Sequence, residues 1–236
     1  MSGDADIASV AAVLAEPTRI RILLALNNGN ALTATELAGT VRVSRPAASF
    51  HLTKLVQHDL LTVQTRGRYR YFRLANEKIS TVLEILASIS PEEEVSSLRQ
   101  GVRADQVRFG RICQNHIGGY IAVSLTAAFR QRGVLVDFAD GYRLTEYGAT
   151  FLTGLGIDLS SFARKDRFVE RHPDWSESSH HMAGPLAKLV AHFMLGQDWL
   201  REARSSRAVR VTDSGRTALL ESFNVDLNTP ATSGND

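Results

Sequence analysis

A chain of 236 residues, 44% hydrophobic and 22% charged, has the make-up of one large or two ordinary globular domains, which argues against a disordered or fibrous chain. Asp4 and Asp6 with no basic cluster do not make a secretory leader, and the uncharged apolar stretch 117–129 is short of the ~18 residues of a bilayer span, so a cytoplasmic protein with no membrane partner is expected. The net charge of +2 hides an asymmetry: between residues 40 and 75, Arg42, Arg45, Lys54, Arg66, Arg68, Arg70 and Arg73 face only Asp59, a local +6, whereas 91–236 carry −1. A polyanion would bind at that basic segment.

In chain order, residues 7–14 predict a short amphipathic helix that ends at Glu16-Pro17, since the residue before proline avoids the α region. Thr18 is the expected cap of a second helix with Ile20, Leu23, Leu24 and Leu26 on its apolar face, stopped by Asn27-Asn28-Gly29-Asn30. Thr33 and Glu36 form a capping-box pattern for a third helix whose Leu37, Ala38 and Val41 face inward. Ser44 caps a fourth, with Pro46 in its first turn and Phe50, Leu52, Leu55 and Val56 as apolar members. Two short helices joined by a tight turn make a helix-turn-helix. The runs 60–65 and 69–74, both β-prone, flank Arg66-Gly67-Arg68 and predict a hairpin with a basic tip. Asn76 caps a further helix with Ile79, Val82, Leu83, Ile85 and Leu86 at helical spacing, ending near Ser90-Pro91. Four helices, a hairpin and a helix are the winged-helix order.

The remainder contains a repeat. His116 to Ala122 followed by Leu135 aligns without a gap on His181 to Ala187 followed by Leu200, and Leu144-Thr145 with Gly148 aligns on Val211-Thr212 with Gly215. Each copy reads as a helix, a short hairpin (134–144 and 199–211) and a helix capped by Thr145 or Thr212, with the two copies about a pseudo-twofold axis. The expected fold is therefore mainly α with small β-hairpins: a winged helix-turn-helix over 1–90, a linking segment over 91–110, an α+β domain of two wing-like repeats over 111–227, and a flexible tail over 228–236.

The helix after Ser44 divides its labour as a recognition helix does: Phe50, Leu52 and Leu55 hold the core, leaving Ser44, Arg45, Ser49, His51 and Lys54 for bases and phosphates. Arg66, Arg68 and Arg70 at the hairpin tip suit phosphates or a narrow minor groove. The expected partner is double-stranded DNA.

The segments Ala15-Glu16-Pro17-Thr18-Arg19-Ile20-Arg21-Ile22-Leu23, Glu36-Leu37-Ala38, Ser49-Phe50-His51-Leu52 and Gly67-Arg68-Tyr69-Arg70-Tyr71 together resemble the ArsR/SmtB family of winged-helix repressors over about residues 5–88. The resemblance implies a homodimer joined through the first and last helices of this domain, a palindromic operator and repression relieved by a ligand. Ile7, Val10, Val13, Leu14, Val82, Leu83 and Leu86 are the apolar residues expected at that dimer interface. The helix over 33–41 holds no cysteine and the helix over 76–90 no histidine, so neither metal site of the family's metal sensors can be built. Two-domain chains of this kind are similar to a subgroup whose effectors the family name does not supply.

An effector is therefore sought in the second domain, around Cys113, His116, His172 and His181. Cys113 and His116, three apart on a helix, would share one face and offer a soft and a borderline ligand. Three roles stay open for this group: structural residues, a metal or redox sensor, and an organic-ligand site; the cofactor is unassigned. The glycines at 118–119, 154 and 156 form no nucleotide loop and no catalytic constellation is readable, so an enzyme is not expected. An architectural DNA-binding protein is the rival reading.

Overall fold

A computed structural model describes residues 4–91, 94–113, 115–162, 167–203 and 206–227. The tail expected over 228–236 lies outside them. The chain divides into two units, Met1–Leu83 and Glu84–Asp236.

The first unit runs α1 (Ile7–Leu14), α2 (Pro17–Ala25), β1 (Leu32–Thr33), α3 (Ala34–Val41), α4 (Arg45–Gln57), β2 (Leu61–Arg66), β3 (Tyr69–Leu74) and the start of α5 (Glu77–Ile89). β1, β3 and β2 form an antiparallel sheet in that order, with Gln64 opposite Tyr71 and Arg66 opposite Tyr69. The helix-turn-helix and wing stand as the sequence predicts. The capping box of α3 is complete: Glu36 N–H donates to Thr33 Oγ1 at 3.3 Å and Thr33 N–H to Glu36 Oε2 at 2.7 Å, an arrangement that satisfies two otherwise orphaned donors and is typically worth about 1 kcal/mol. Arg42, in the left-handed region at φ 57°, ends α3 and turns the chain into the Ser44 cap of α4. The core is built from Ile22, Leu23, Leu26, Leu37, Leu52 and Leu55, all essentially inaccessible.

Three local expectations are corrected here. The cap of α2 is Glu16, whose carboxylate accepts from Arg19 N–H at 2.9 Å; Pro17 takes the first helical position, where its missing N–H costs nothing, and Thr18 lies inside the helix. Phe50 does not hold α4 to the core but is 60% exposed, because Ala48, Leu52 and Leu55 already fill the inward stripe. Val13 and Leu83 belong to this unit's own core, whereas Ile7, Val10, Val82, Ile85 and Ile89 are exposed.

The second unit continues with α6 (Leu98–Phe109), β4 (Arg111–Cys113), β5 (His116–Gly118), α7 (Tyr120–Gln131), β6 (Leu135–Phe138), β7 (Gly141–Leu144), α8 (Glu146–Gly154), β8 (Phe168–Asp174), β9 (Ser179–Ala183), α9 (Gly184–Gly196), β10 (Leu200–Glu202), β11 (Val209–Val211) and α10 (Asp213–Phe223). A regular helix, α6, thus occupies most of the expected linking segment. Both repeats begin earlier than the sequence pattern suggests, each with a β-hairpin (β4–β5 and β8–β9) before its first helix. Consequently Cys113 and His116 are not helical neighbours; they are cross-strand partners.

The two copies interlock reciprocally. The β7 edge of the first repeat pairs with β8 of the second, while β4 of the first is joined to the second by an Arg111–Ala208 bridge and by Ile112 N–H donating to Arg207 O at 2.7 Å. Helix α7 packs on β9, and α9 packs on β5. The shared Thr-x-x-Gly signature caps α8 and α10 alike: Gly148 and Gly215 N–H donate to Thr145 and Thr212 Oγ1 at 2.8 and 3.0 Å. A Cβ at either glycine would stand 2.3 Å from Val134 O or 2.1 Å from Trp199 O, so both copies need glycine for the same close approach. One apolar core, with Ile121, Leu125, Phe129, Leu186, Met194 and Phe223 at its centre, spans both copies.

Candidate functional site

The outward face of α4 comprises Arg45, Pro46, Ser49, Phe50, Thr53 and Gln57, all exposed. Ser44 accepts Ala47 N–H at 3.3 Å and so serves as the cap while its side chain remains at the surface. Lys54 is half-buried along the flank. His51 turns the other way, its Nδ1 lying 3.3 Å from Glu16 Oε2. Of the residues expected on the DNA face, Arg45 and Ser49 therefore stand squarely on it, whereas His51 bridges α4 to α2; Phe50 and Thr53 share the face without having been expected there.

In the wing, Arg66, Arg68 and Arg70 are all exposed. Each guanidinium lies over an aromatic ring: Arg66 Cζ is 5.8 Å from the Tyr71 centroid, Arg68 Cζ 5.0 Å from Tyr69 and Arg70 Cζ 5.5 Å from Phe72. Arg66 is also held by Gln64 Oε1 at 2.9 Å from Nη2. No acidic residue lies between 60 and 76, so the tip keeps its positive potential.

The second site lies where the two repeats of the second unit meet. His116 on β5 and His181 on β9 are both buried, and their Nε2 atoms are 3.2 Å apart. His172, opposite His181 in the β8–β9 register, is half-buried with its ring 5.7 Å from that of His116. The three rings can each offer one ligand nitrogen, all within 4.8 Å of one another. Cys113 is buried opposite His116, so Cys113 and His172 hold equivalent places beside the two repeat histidines; among the described residues, however, the group within that radius consists of the histidines.

Behind the rings stands a charged network. Asp174 Oδ2 faces His181 Nδ1 at 3.0 Å and accepts Gly119 N–H at 2.7 Å. Its Oδ1 lies 3.1 Å from Arg111 Nη2 and accepts the Ser176 hydroxyl at 2.8 Å. Arg111, wholly inaccessible, also reaches Glu84 Oε2 at 3.0 Å, lies against the Trp175 ring at 4.8 Å, and shares Glu84 with Arg207 at 3.1 Å. Burial acts to raise the Asp174 carboxyl, but His181, Arg111 and the Gly119 amide together hold it far below the carboxylate range. Glu84 likewise stays below its ordinary value because Arg111 and Arg207 outweigh its desolvation. Burial, reinforced by the neighbouring His181 and His172, pushes His116 well below the ordinary imidazole range, which keeps it in the neutral form that can ligate.

Sequence reasoning singled out all three histidines but not Arg111, Glu84 or Arg207. An isolated arginine beside Ile112 and Cys113 carries no periodic signal, and its partners come from distant strands and α5. Asp174 stands in the polar run 171–181 that also holds His172 and His181, which is the signal the sequence offers for it.

A helix-turn-helix domain model matches residues 14–64. The chain is 35% identical over 223 residues, 94% of its own length and 99% of the relative's, to the uncharacterized HTH-type transcriptional regulator YdfF of Bacillus subtilis (strain 168). It is 27% identical over 89 residues, 38% of its length and 85% of the relative's, to the arsenical resistance operon repressor of Staphylococcus xylosus. Among solved structures, NolR from Sinorhizobium fredii aligns at 24% identity and a TM-score of 0.33, covering 38% of this chain and 96% of that one. The homodimeric winged helix-turn-helix domain of Mb0332 from Mycobacterium bovis aligns at 22% and 0.34, covering 41% and 99%.

Proposed function

This chain belongs to the helix-turn-helix transcriptional regulators of the ArsR type, and from that premise we propose that it is a dimeric repressor that leaves a palindromic operator when an effector engages its second domain. The observation that carries the reading is the pairing, within one unit, of an exposed polar face on α4 with a wing whose three tip arginines are unopposed by acid. Ser44, Arg45, Ser49 and Lys54 read or position bases from α4, with His51 steering the helix through Glu16. Arg66, Arg68 and Arg70 take phosphates on the flanking turn. Residues 1–90 supply DNA binding and dimerisation, 91–110 link, and 111–227 respond to the effector around His116, His172 and His181, with Cys113 beside them.

Two recognition helices reading a palindrome need half-sites about one helical turn apart and hence a twofold dimer. Ile7, Val10 and Val82 of the first unit are exposed apolar residues that supply a surface for it. Because the relatives are transcriptional regulators, the chemistry expected of the chain is binding rather than catalysis. No described helix is long and apolar enough to cross a membrane.

DNase footprinting of the full-length protein on the DNA upstream of its own gene tests this reading. A single protected tract with twofold symmetry is expected. Uniform protection without sequence preference would show an architectural protein instead.

A further inference from the structure

We propose that His116, His172 and His181 form a binding site for one divalent transition-metal ion of the zinc class per protomer. As the core of the effector half the site rests on the regulator reading above, but metal binding is measured without DNA, so the two can fail separately.

The geometry around His116 and His181 is that of two ligands on one ion. Zinc–imidazole bonds of ~2.0–2.1 Å at tetrahedral angles put two ligand nitrogens about 3.3–3.4 Å apart, and the two Nε2 atoms stand 3.2 Å apart. The tautomers also suit a metal. Nδ1 of His181 stands 3.0 Å from Asp174 Oδ2, and the tautomer with its proton on Nδ1, facing that carboxylate, is the one that directs the Nε2 lone pair toward His116. A carboxylate behind a ligating imidazole fixes tautomer and orientation and raises the basicity of the ligand. Without an ion, His116 Nε2 is the complementary donor across the 3.2 Å contact; its Nδ1 has no hydrogen-bond partner among the described residues, so the proton can move to Nδ1 when an ion takes Nε2.

His172 completes a three-nitrogen set from the half-buried side. That leaves a fourth position for water or an exchangeable anion, the open arrangement of three-histidine zinc sites. Three imidazoles without a carboxylate in the first shell select borderline ions over magnesium or calcium. Because His116 comes from the first repeat and His172 and His181 from the β8–β9 hairpin of the second, an ion here ties the two copies together. This site lies on residues 116–181 and uses neither α3 nor α5.

The test is titration of chelator-treated full-length protein with cobalt(II) and with zinc. One equivalent of cobalt is expected to give the intense visible bands of a four-coordinate nitrogen site and to be displaced by zinc. His116→Ala and His172→Ala should each abolish the bands, Asp174→Asn should lower zinc affinity about 10–100-fold, and Cys113→Ser should retain them. Should His116→Ala fail to fold, the half-buried His172→Ala and the ring ¹⁵N shifts of the parent protein on adding zinc decide the matter. No uptake by folded parent protein, unmoved ¹⁵N shifts, or bands that survive His172→Ala would each overturn the proposal.

Discussion

Arg111 is the residue whose replacement should most damage the second unit. Its guanidinium lies 3.0 Å from Glu84 and 3.1 Å from Asp174 with no side-chain exposure, so Arg111→Met leaves two buried carboxylates short of a partner. Removing one member of a buried pair costs about 3–5 kcal/mol. Glu84 retains Arg207 at 3.1 Å and Asp174 retains the Gly119 amide at 2.7 Å, which places the expected loss at the lower end, about 3 kcal/mol. At roughly 2–4 °C per kcal/mol for a protein of this size, the melting midpoint should fall by about 6–12 °C. Both tryptophans, Trp175 and Trp199, lie in the second unit, so their fluorescence during urea and thermal unfolding reports on the unit in question. The double variant Arg111→Met with Glu84→Gln should lose less than the sum of the two single variants, with a coupling of about 1 kcal/mol or more. A single-variant loss under about 0.5 kcal/mol, the scale of an ordinary surface substitution, would refute the claim that this network holds the unit together.

Arg45→Ala should weaken operator binding by about 1–3 kcal/mol and relax preference at the base it reads; an unchanged affinity in anisotropy titrations removes α4 from recognition. Changing one phosphate-contacting arginine among Arg66, Arg68 and Arg70 to Ala should reduce the magnitude of the log-affinity against log-salt slope by about 0.9 on all sequences. Loss of one base preference at an unchanged slope would point to base reading by the wing. Val82→Asp together with Ile85→Asp should shift the protein to monomer in light scattering at micromolar concentration, and a dimer that persists would move the interface elsewhere. Glu84 titrates below its ordinary 4.5, so its contribution to stability is complete above that pH and lost as the pH falls through the folded-state value. Glu84→Gln should therefore unfold with a shallower acid dependence than the parent, and an identical acid profile would contradict the ion pairing.

The first unit was legible because its signals are local. Thr33 and Glu36 sit three apart, Ser44 precedes Pro46, and Gly67 separates two β-prone runs; each pattern is satisfied by its own neighbours. Phe50 misled because an aromatic residue on a short helix suggests core, whereas the inward stripe of α4 is already filled by the smaller Ala48 with Leu52 and Leu55. In the second unit, the alignment made His116 and His181 equivalent positions of paired repeats, and the structure brings their rings together. The alignment could not show that both lie in strands: β4 and β5 span three residues each, too few for alternation to register, and β8 contains Pro173. Arg111 was invisible for a different reason, because a buried charge is explained only by partners that tertiary folding delivers.

Competition binding of the full-length protein to its footprinted operator and to a scrambled duplex of the same length, at one physiological salt concentration, tests the central claim most directly. A specific regulator built on α4 and the wing should prefer the operator by at least about 10³-fold. A ratio near one, with both duplexes bound equally and the same steep salt dependence, would contradict it.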